Sequence, residues 1–506
     1  MKLIKNKPIL ILILLAILLR LPLLNGSFWL DESAQALESA RPFSQQLDIV
    51  SDFQPPLLHY LLHFAMLVNH SEAWLRLWGA LIPGLVTILV SYLIGKKLVN
   101  KTVGLITSLL LATSSFHVFF SQELRPYSLA CMWAMFSWLF LIELWQKKAT
   151  GSKQDKKTWL VYLMSSILGL FSSYTFPFVL LSQFLMTLAL YRHQLKSHLI
   201  ALVITSTFFL PWLPTFLKQL SAGTVLRSSM PGWETMVSLP QLQAVPLTLG
   251  KLVFGVIRLD TSWYFLSLVT IILLLSAVLL VFNLRDNNQD KNISSESKKK
   301  LLMIFLAGAL PLLSSWLVSF WTPVVQPKRL LFMQPFIYLF VATLATQAWR
   351  TKQKLQKIFA TFLLLIFIVI NLFSLHQYYT QPHLQREDWR GLRQLVRARF
   401  PDNDTVLVFA FGEPFAPWRW YDHERFSTIA TGRLNQQTYP QVQDKLKPIF
   451  EYQYVLVFDY LRDLTDPEDL ITKAVEEFGY EQYELINLEN IGFVRVYLKD
   501  KLIITG

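Results

Sequence analysis

Between residues 8 and 375 the chain alternates long apolar runs with short charged loops; from about residue 376 the runs shorten and polar positions interleave with them. A helix of about 20 apolar residues crosses a bilayer. Apolar runs with charged or turn-forming ends predict about eleven such spans, over 8–24, 74–95, 102–119, 125–145, 158–173, 175–191, 199–217, 262–283, 301–320, 330–348 and 358–375. Beyond them, 387–399 (EDWRGLRQLVRAR) has helical spacing, while 405–411 (TVLVFAF) and 454–458 (YVLVF) are β-type runs. Residues 467–478 open like a helix with proline near its start, and 483–488 with 492–498 suit a terminal hairpin. The expected fold is an α-helical multi-pass membrane protein over 1–375, with outer loop helices at 25–73, followed by a soluble α/β domain over 376–506.

Composition agrees, with 53% hydrophobic and 14% aromatic residues and a mean hydropathy of +0.38. The single cysteine, Cys131, lies inside an apolar run, so no intrachain disulfide framework can form. Lys2, Lys5 and Lys7 before the first run imitate a signal peptide, but the run is long and no small-x-small cleavage site follows, so it reads as a retained span. Alternate loops carry about 22 and about 9 Lys and Arg, which puts the N-terminus in the cytoplasm of a plasma-membrane protein. The C-terminal domain is then extracytoplasmic, and 286–300 is a solvated cytoplasmic linker. The net charge of +13 is not a nucleic-acid signature: from residue 376 there are 15 Lys and Arg against 20 Asp and Glu, so the excess belongs to the membrane part and faces lipid.

Four groups of polar residues then fall outside. The first is Asp31-Glu32, just past the first span. Arg20, near the outer end of that span, either snorkels to the headgroups or contacts an anion beside Asp31. The second is 54–57 (QPPL), where Pro55 and Pro56 open a helix carrying His59 and His63 at i, i+4. A metal there needs a third ligand, so interfacial histidines are favoured and a divalent ion is left open. The third, 122–127 (QELRPY), places Glu123 and Arg125 at the bilayer edge with Tyr127 in the aromatic belt. The fourth is Lys328-Arg329, a basic pair outside against the charge trend, suited to a lipid phosphate or to anchoring a helix end.

In order, RLPLLNGSFWLDE (20–32), QPPL, QELRPY, KRLL (328–331) and EDWR (387–390) resemble the markers of bacterial GT-C membrane glycosyltransferases, in the group of protein mannosyltransferases, lipid A aminoarabinose transferases and rhizobial lipopolysaccharide sugar transferases. The resemblance implies a multi-pass enzyme that takes a sugar from a polyprenyl-phosphate carrier and gives it to a hydroxyl acceptor with inversion. It puts the catalytic base on Asp31 with Glu32 beside it. Relatives often have histidine before the double proline, where this chain has Gln54, so any role of that histidine does not transfer.

The chemistry supports this assignment. A hydroxyl nucleophile needs a carboxylate to accept its proton, an effect typically of about 10²–10⁴-fold. The leaving lipid phosphate needs fixed cations, for which Lys328, Arg329, Arg125 and Arg20 are candidates. Glu123, Tyr127, Gln54 and His59 are further active-site candidates. In a single displacement, base and phosphate lie on opposite faces of the sugar. No P-loop is present, which disfavours a nucleotide donor. The rival reading is a transporter or lipid-linked-sugar flippase, whose signature would be ionisable residues along the spans. A receptor or scaffold would explain the tail but not the acid pair.

Overall fold

The computed structural model describes residues 7–149, 156–229, 239–257, 262–285, 291–423, 425–432 and 438–499. Lys2, Lys5 and residues 286–290 of the expected linker lie outside them. Two compact units result: Met1–Leu24, Gln54–Phe216 and Val237–Thr380 form the first, and Asn25–Phe53, Leu217–Met236 and Gln381–Gly506 the second.

In the first unit every expected span falls on a helix, but not every helix is long enough to be one. Among the described residues seven are long and apolar enough to cross a membrane: Glu72–Leu98, Tyr127–Lys147, Arg192–Val225, Trp263–Leu284, Glu296–Val318, Pro327–Arg350 and Lys354–Thr380. The rest are cut short for local reasons. Lys7–Leu18 stops well before residue 24, because Pro22 and the positive φ of Leu23 (61°) turn the chain. The span expected over 102–119 breaks at Ser114, whose extended backbone ends Lys101–Thr113 and starts the separate helix Ser115–Phe120. Residues 291–300 are not a loop but the opening turns of helix Lys291–Val318, where Lys300 pairs with Glu296 one turn back at 2.7 Å.

Packing follows the side-chain sizes. Gly95 and Gly104 let helices Ile82–Leu98 and Lys101–Thr113 touch backbone to backbone, since a Cβ on Gly95 would lie 2.8 Å from the Gly104 Cα. Just before Pro83, which supplies no N–H to the helical ladder, the chain runs through the π-helical segment Leu77–Leu81. Trp138, Trp145, Phe336 and Met333 belong to the larger apolar core. Polar side chains inside the unit find partners there: the Tyr162 hydroxyl meets His198 Nε2 at 2.8 Å and Gln183 Oε1 at 3.1 Å.

The second unit is built on a five-stranded sheet of β1 (Thr405–Phe409), β2 (Ser427–Ala430), β3 (Tyr454–Phe458), β4 (Tyr480–Leu488) and β5 (Gly492–Lys499), in the order β2-β1-β3-β5-β4. β2, β1 and β3 run parallel; β5 and β4 form the antiparallel hairpin the sequence predicts. Alternate residues of β1 and β3 feed opposite cores. Leu407, Phe409, Leu456 and Phe458 pack with Trp389 and Val396 of helix Trp389–Arg399, while Val406, Val408, Val455 and Val457 pack with Val442 and Ile471. Covered on both faces, β1 is buried along its whole length.

Candidate active site

The acidic pair is held by the second unit. From Asn25 the chain runs to an extended Trp29 (φ −91°, ψ −178°) and turns into helix Leu30–Ser39, so Asp31 and Glu32 fall in a first turn, where helix N–H groups favour negative charge. Several contacts fix this entry. The Phe28 N–H donates to the Tyr421 hydroxyl at 2.7 Å, and the Phe28 ring meets Trp420 at 5.8 Å. The Arg390 N–H donates to Ser27 Oγ at 3.0 Å, its guanidinium donates to the Asn25 carbonyl at 2.9 Å, and Leu30 packs against the core that holds Trp389.

Successive helical residues point about 100° apart, and this separates the two acids. Glu32 is fully buried and lies 3.7 Å from Nε of Arg386, itself 7% exposed. Asp31 is half-buried. Close to it lies Glu387, whose carboxylate accepts from the Tyr460 hydroxyl at 2.8 Å, from Trp389 Nε1 at 2.6 Å and from the backbone at Leu30. Burial, and more weakly the charge of Asp31, push the Glu387 carboxyl up to about 7 against the pull of its three donors. Burial and the charges of Glu387 and Asp31 push the Tyr460 phenol up as well. Next to Glu387, Asp388 caps helix Trp389–Arg399 by accepting from the Gly391 N–H at 3.0 Å. Asp388→Ala is expected to lower stability by about 1 kcal/mol, measured by thermal unfolding of the purified protein, with Asp388→Asn losing only a fraction of that.

The other sequence candidates lie in the first unit, where the structure brings two motifs together. Lys328 Nζ sits 5.6 Å from the centre of the Tyr127 ring, a cation–π distance. Arg329 directs its guanidinium at the carbonyls of Pro323 (3.3 Å) and Val324 (3.4 Å), and its own carbonyl accepts from Thr175 Oγ1 at 2.8 Å. Glu123 is buried and Arg125 half-buried in the turn before helix Tyr127–Ala149, where the Arg125 N–H donates to the Glu123 carbonyl at 2.7 Å. Gln54 and His59 are both buried, with Nε2 atoms 3.1 Å apart. His63, half-buried, stacks edge-on against Phe64. Among the described residues no three of His, Cys, Asp and Glu gather as a metal site.

Arg20 corrects the sequence expectation. Instead of reaching for headgroups, its fully buried guanidinium donates to the carbonyls of Ala16 (2.9 Å), Ala112 (3.1 Å) and Leu111 (3.2 Å) and to His117 Nδ1 (2.8 Å). These carbonyls belong to the C-terminal turns of helices Lys7–Leu18 and Lys101–Thr113, which favour a cation. Both terminal nitrogens of Arg20 are thus engaged within the first unit. Gln122 completes the joint: its amide donates to the carbonyls of Arg20 (2.9 Å) and Pro22 and accepts from the Tyr378 hydroxyl at 3.0 Å.

Glu387, Tyr460 and Arg386 are the residues that reading the sequence for chemistry overlooks. Glu387 had a signal, as the first residue of EDWR; Tyr460 and Arg386 carried none, because only the fold sets them beside the helix of Asp31.

Residues 53–215 match the model of the dolichyl-phosphate-mannose-protein mannosyltransferase family. No curated protein matches the chain by sequence. Among solved structures, the fold is similar to the oligosaccharyltransferase AglB of Archaeoglobus fulgidus, solved with an inhibitory peptide and a dolichol-phosphate: TM-score 0.53, 12% identity, 98% of this chain and 74% of that one. It is equally similar to ArnT of Cupriavidus metallidurans bound to undecaprenyl phosphate: TM-score 0.54, 10% identity, 96% of this chain and 97% of that one.

Proposed function

The chain has the GT-C fold of membrane glycosyltransferases, and from that premise we propose that it moves a sugar from a polyprenyl-phosphate carrier to a hydroxyl acceptor at the outer face of the plasma membrane, with inversion. Asp31 takes the proton of the acceptor hydroxyl as the new glycosidic bond forms, and the lipid phosphate departs with the electrons of the bond that breaks. The observation that carries this reading is the division of the acid pair: Glu32 is buried against Arg386, which leaves the half-buried Asp31 as the carboxylate within reach of an acceptor. A lipid-phosphate donor is supported by the family matched over 53–215 and by the dolichol-phosphate and undecaprenyl phosphate carried by AglB and ArnT.

In this reading Lys328, Arg329 and Arg125 stabilise the leaving phosphate, Arg by its planar fork and Lys as a point charge. Lys328→Ala and Arg329→Ala are expected to raise the apparent KM for the lipid-linked donor by about 10- to 100-fold, the loss of one charge-assisted hydrogen bond each. Unchanged donor dependence would make them helix-end anchors instead. The reading as a whole is tested by deleting the protein and comparing envelope glycans by mass spectrometry. Loss of one sugar from one envelope component supports it and names donor and acceptor; an unaltered glycan profile overturns it.

A further inference from the structure

The proposed reaction leaves Glu387 without a task, although its setting is unusual. Its carboxylate joins the sheet, the EDWR segment and the acid-bearing helix: Tyr460 follows β3, Trp389 opens helix Trp389–Arg399, and the Leu30 backbone immediately precedes Asp31. We propose that Glu387 is a positioning residue for Asp31, fixing the start of its helix through the Leu30 backbone and so holding the Asp31 carboxylate where the acceptor hydroxyl meets it. The inference rests on the reading of Asp31 as the base.

Two groups on the elements packed against Glu387 act on its charge, Asp31 from helix Leu30–Ser39 and Tyr460 from the end of β3; on its own segment, the neighbouring Arg386 is engaged by Glu32. Held up to about 7, Glu387 changes charge within the working range of most cells. Ionised, it is the form its three donors prefer and it holds the Leu30 backbone firmly; protonated, it is a weaker acceptor and the start of the helix that carries Asp31 is held less firmly. Transfer should therefore rise with pH through neutrality.

The test uses the purified full chain, with no ligand, for infrared spectroscopy of protonated carboxyls, and the same protein added to membranes of a deletion strain that hold the cell's own donor and acceptor. In the wild type a protonated-carboxyl band is expected to fade near pH 7, to be missing in Glu387→Gln, to fade at lower pH in Asp31→Asn, which removes the like charge, and at higher pH in Tyr460→Phe, which removes a donor. Glu387→Gln should keep its KM for the donor, lose about tenfold in rate above neutrality and lose the near-neutral rise. A band that persists unchanged in Glu387→Gln, or a pH profile that superimposes on the wild type, overturns the inference. Should Glu387→Gln not fold, Tyr460→Phe decides: a midpoint and a pH profile that both stay in place overturn it equally. Full transfer by Asp31→Asn would instead bring down the functional reading, an outcome separable because the infrared coupling of the two carboxyls is read without turnover.

Discussion

Asp31→Asn is expected to abolish sugar transfer while the protein inserts, folds and binds its lipid donor as before. Asparagine has nearly the shape of aspartate, and losing one first-turn charge typically costs about 0.3–1 kcal/mol, too little to unwind helix Leu30–Ser39. Its amide oxygen still accepts a hydrogen bond from the acceptor hydroxyl. It cannot take the proton, and the transition state then has to form with the nucleophile still protonated. The expected loss is about 10²–10⁴-fold in rate, with the donor KM little changed, because a group that acts only in the transition state leaves ground-state binding alone. Transfer in membranes complemented with the variant is the measurement, and wild-type rates there would remove Asp31 from the mechanism.

The neighbouring residue calls for an opposite expectation, in stability rather than rate. Arg386→Ala leaves the carboxylate of Glu32 fully buried without the guanidinium that faces it. Removing one partner of a buried pair typically costs about 3–5 kcal/mol, because the remaining charge is stranded in a medium that solvates it poorly. The variant should unfold at clearly lower temperature and yield little intact protein in the membrane. Replacing both partners together, Glu32→Gln with Arg386→Met, should recover most of the loss, since neutral groups of similar volume carry no such penalty. If the single and double variants melt alike, the pair contributes packing and not charge compensation. Asp31→Asn and Arg386→Ala thus separate two adjacent acids by what fails first, the reaction or the fold.

Local pattern carried a great deal of this molecule. The apolar runs located the helices of the first unit, and the runs TVLVFAF and YVLVF located two buried central strands, because burial on both faces leaves a continuous hydrophobic stretch. Edges were harder to read: β2, only Ser427–Ala430 and half in solvent, has no such stretch. Span length was overestimated wherever one polar or turn-forming residue interrupts an otherwise apolar run, as at Pro22 and Ser114. Of the site, Asp31 and Glu32 stood out as charges beside a membrane span, but nothing local tells which acid is buried. That is decided by Arg386, and the setting of Asp31 by Glu387 and Tyr460, residues hundreds of positions away. Arg20 shows the converse. A cation at the end of a span suggests a lipid headgroup, and only the positions of Ala112, Leu111 and His117 reveal that helix ends have claimed it.

The grouping of Asn25–Phe53 with Gln381–Gly506 also has a consequence for how the chain is made. Phe28 waits for Tyr421, 393 positions later, and Glu32 for Arg386. During synthesis the segment bearing Asp31 therefore leaves the ribosome long before the residues that hold it, which emerge only after the helices encoded between them have been made. A nascent or truncated chain can fill the membrane with helices and still lack an organised acid pair.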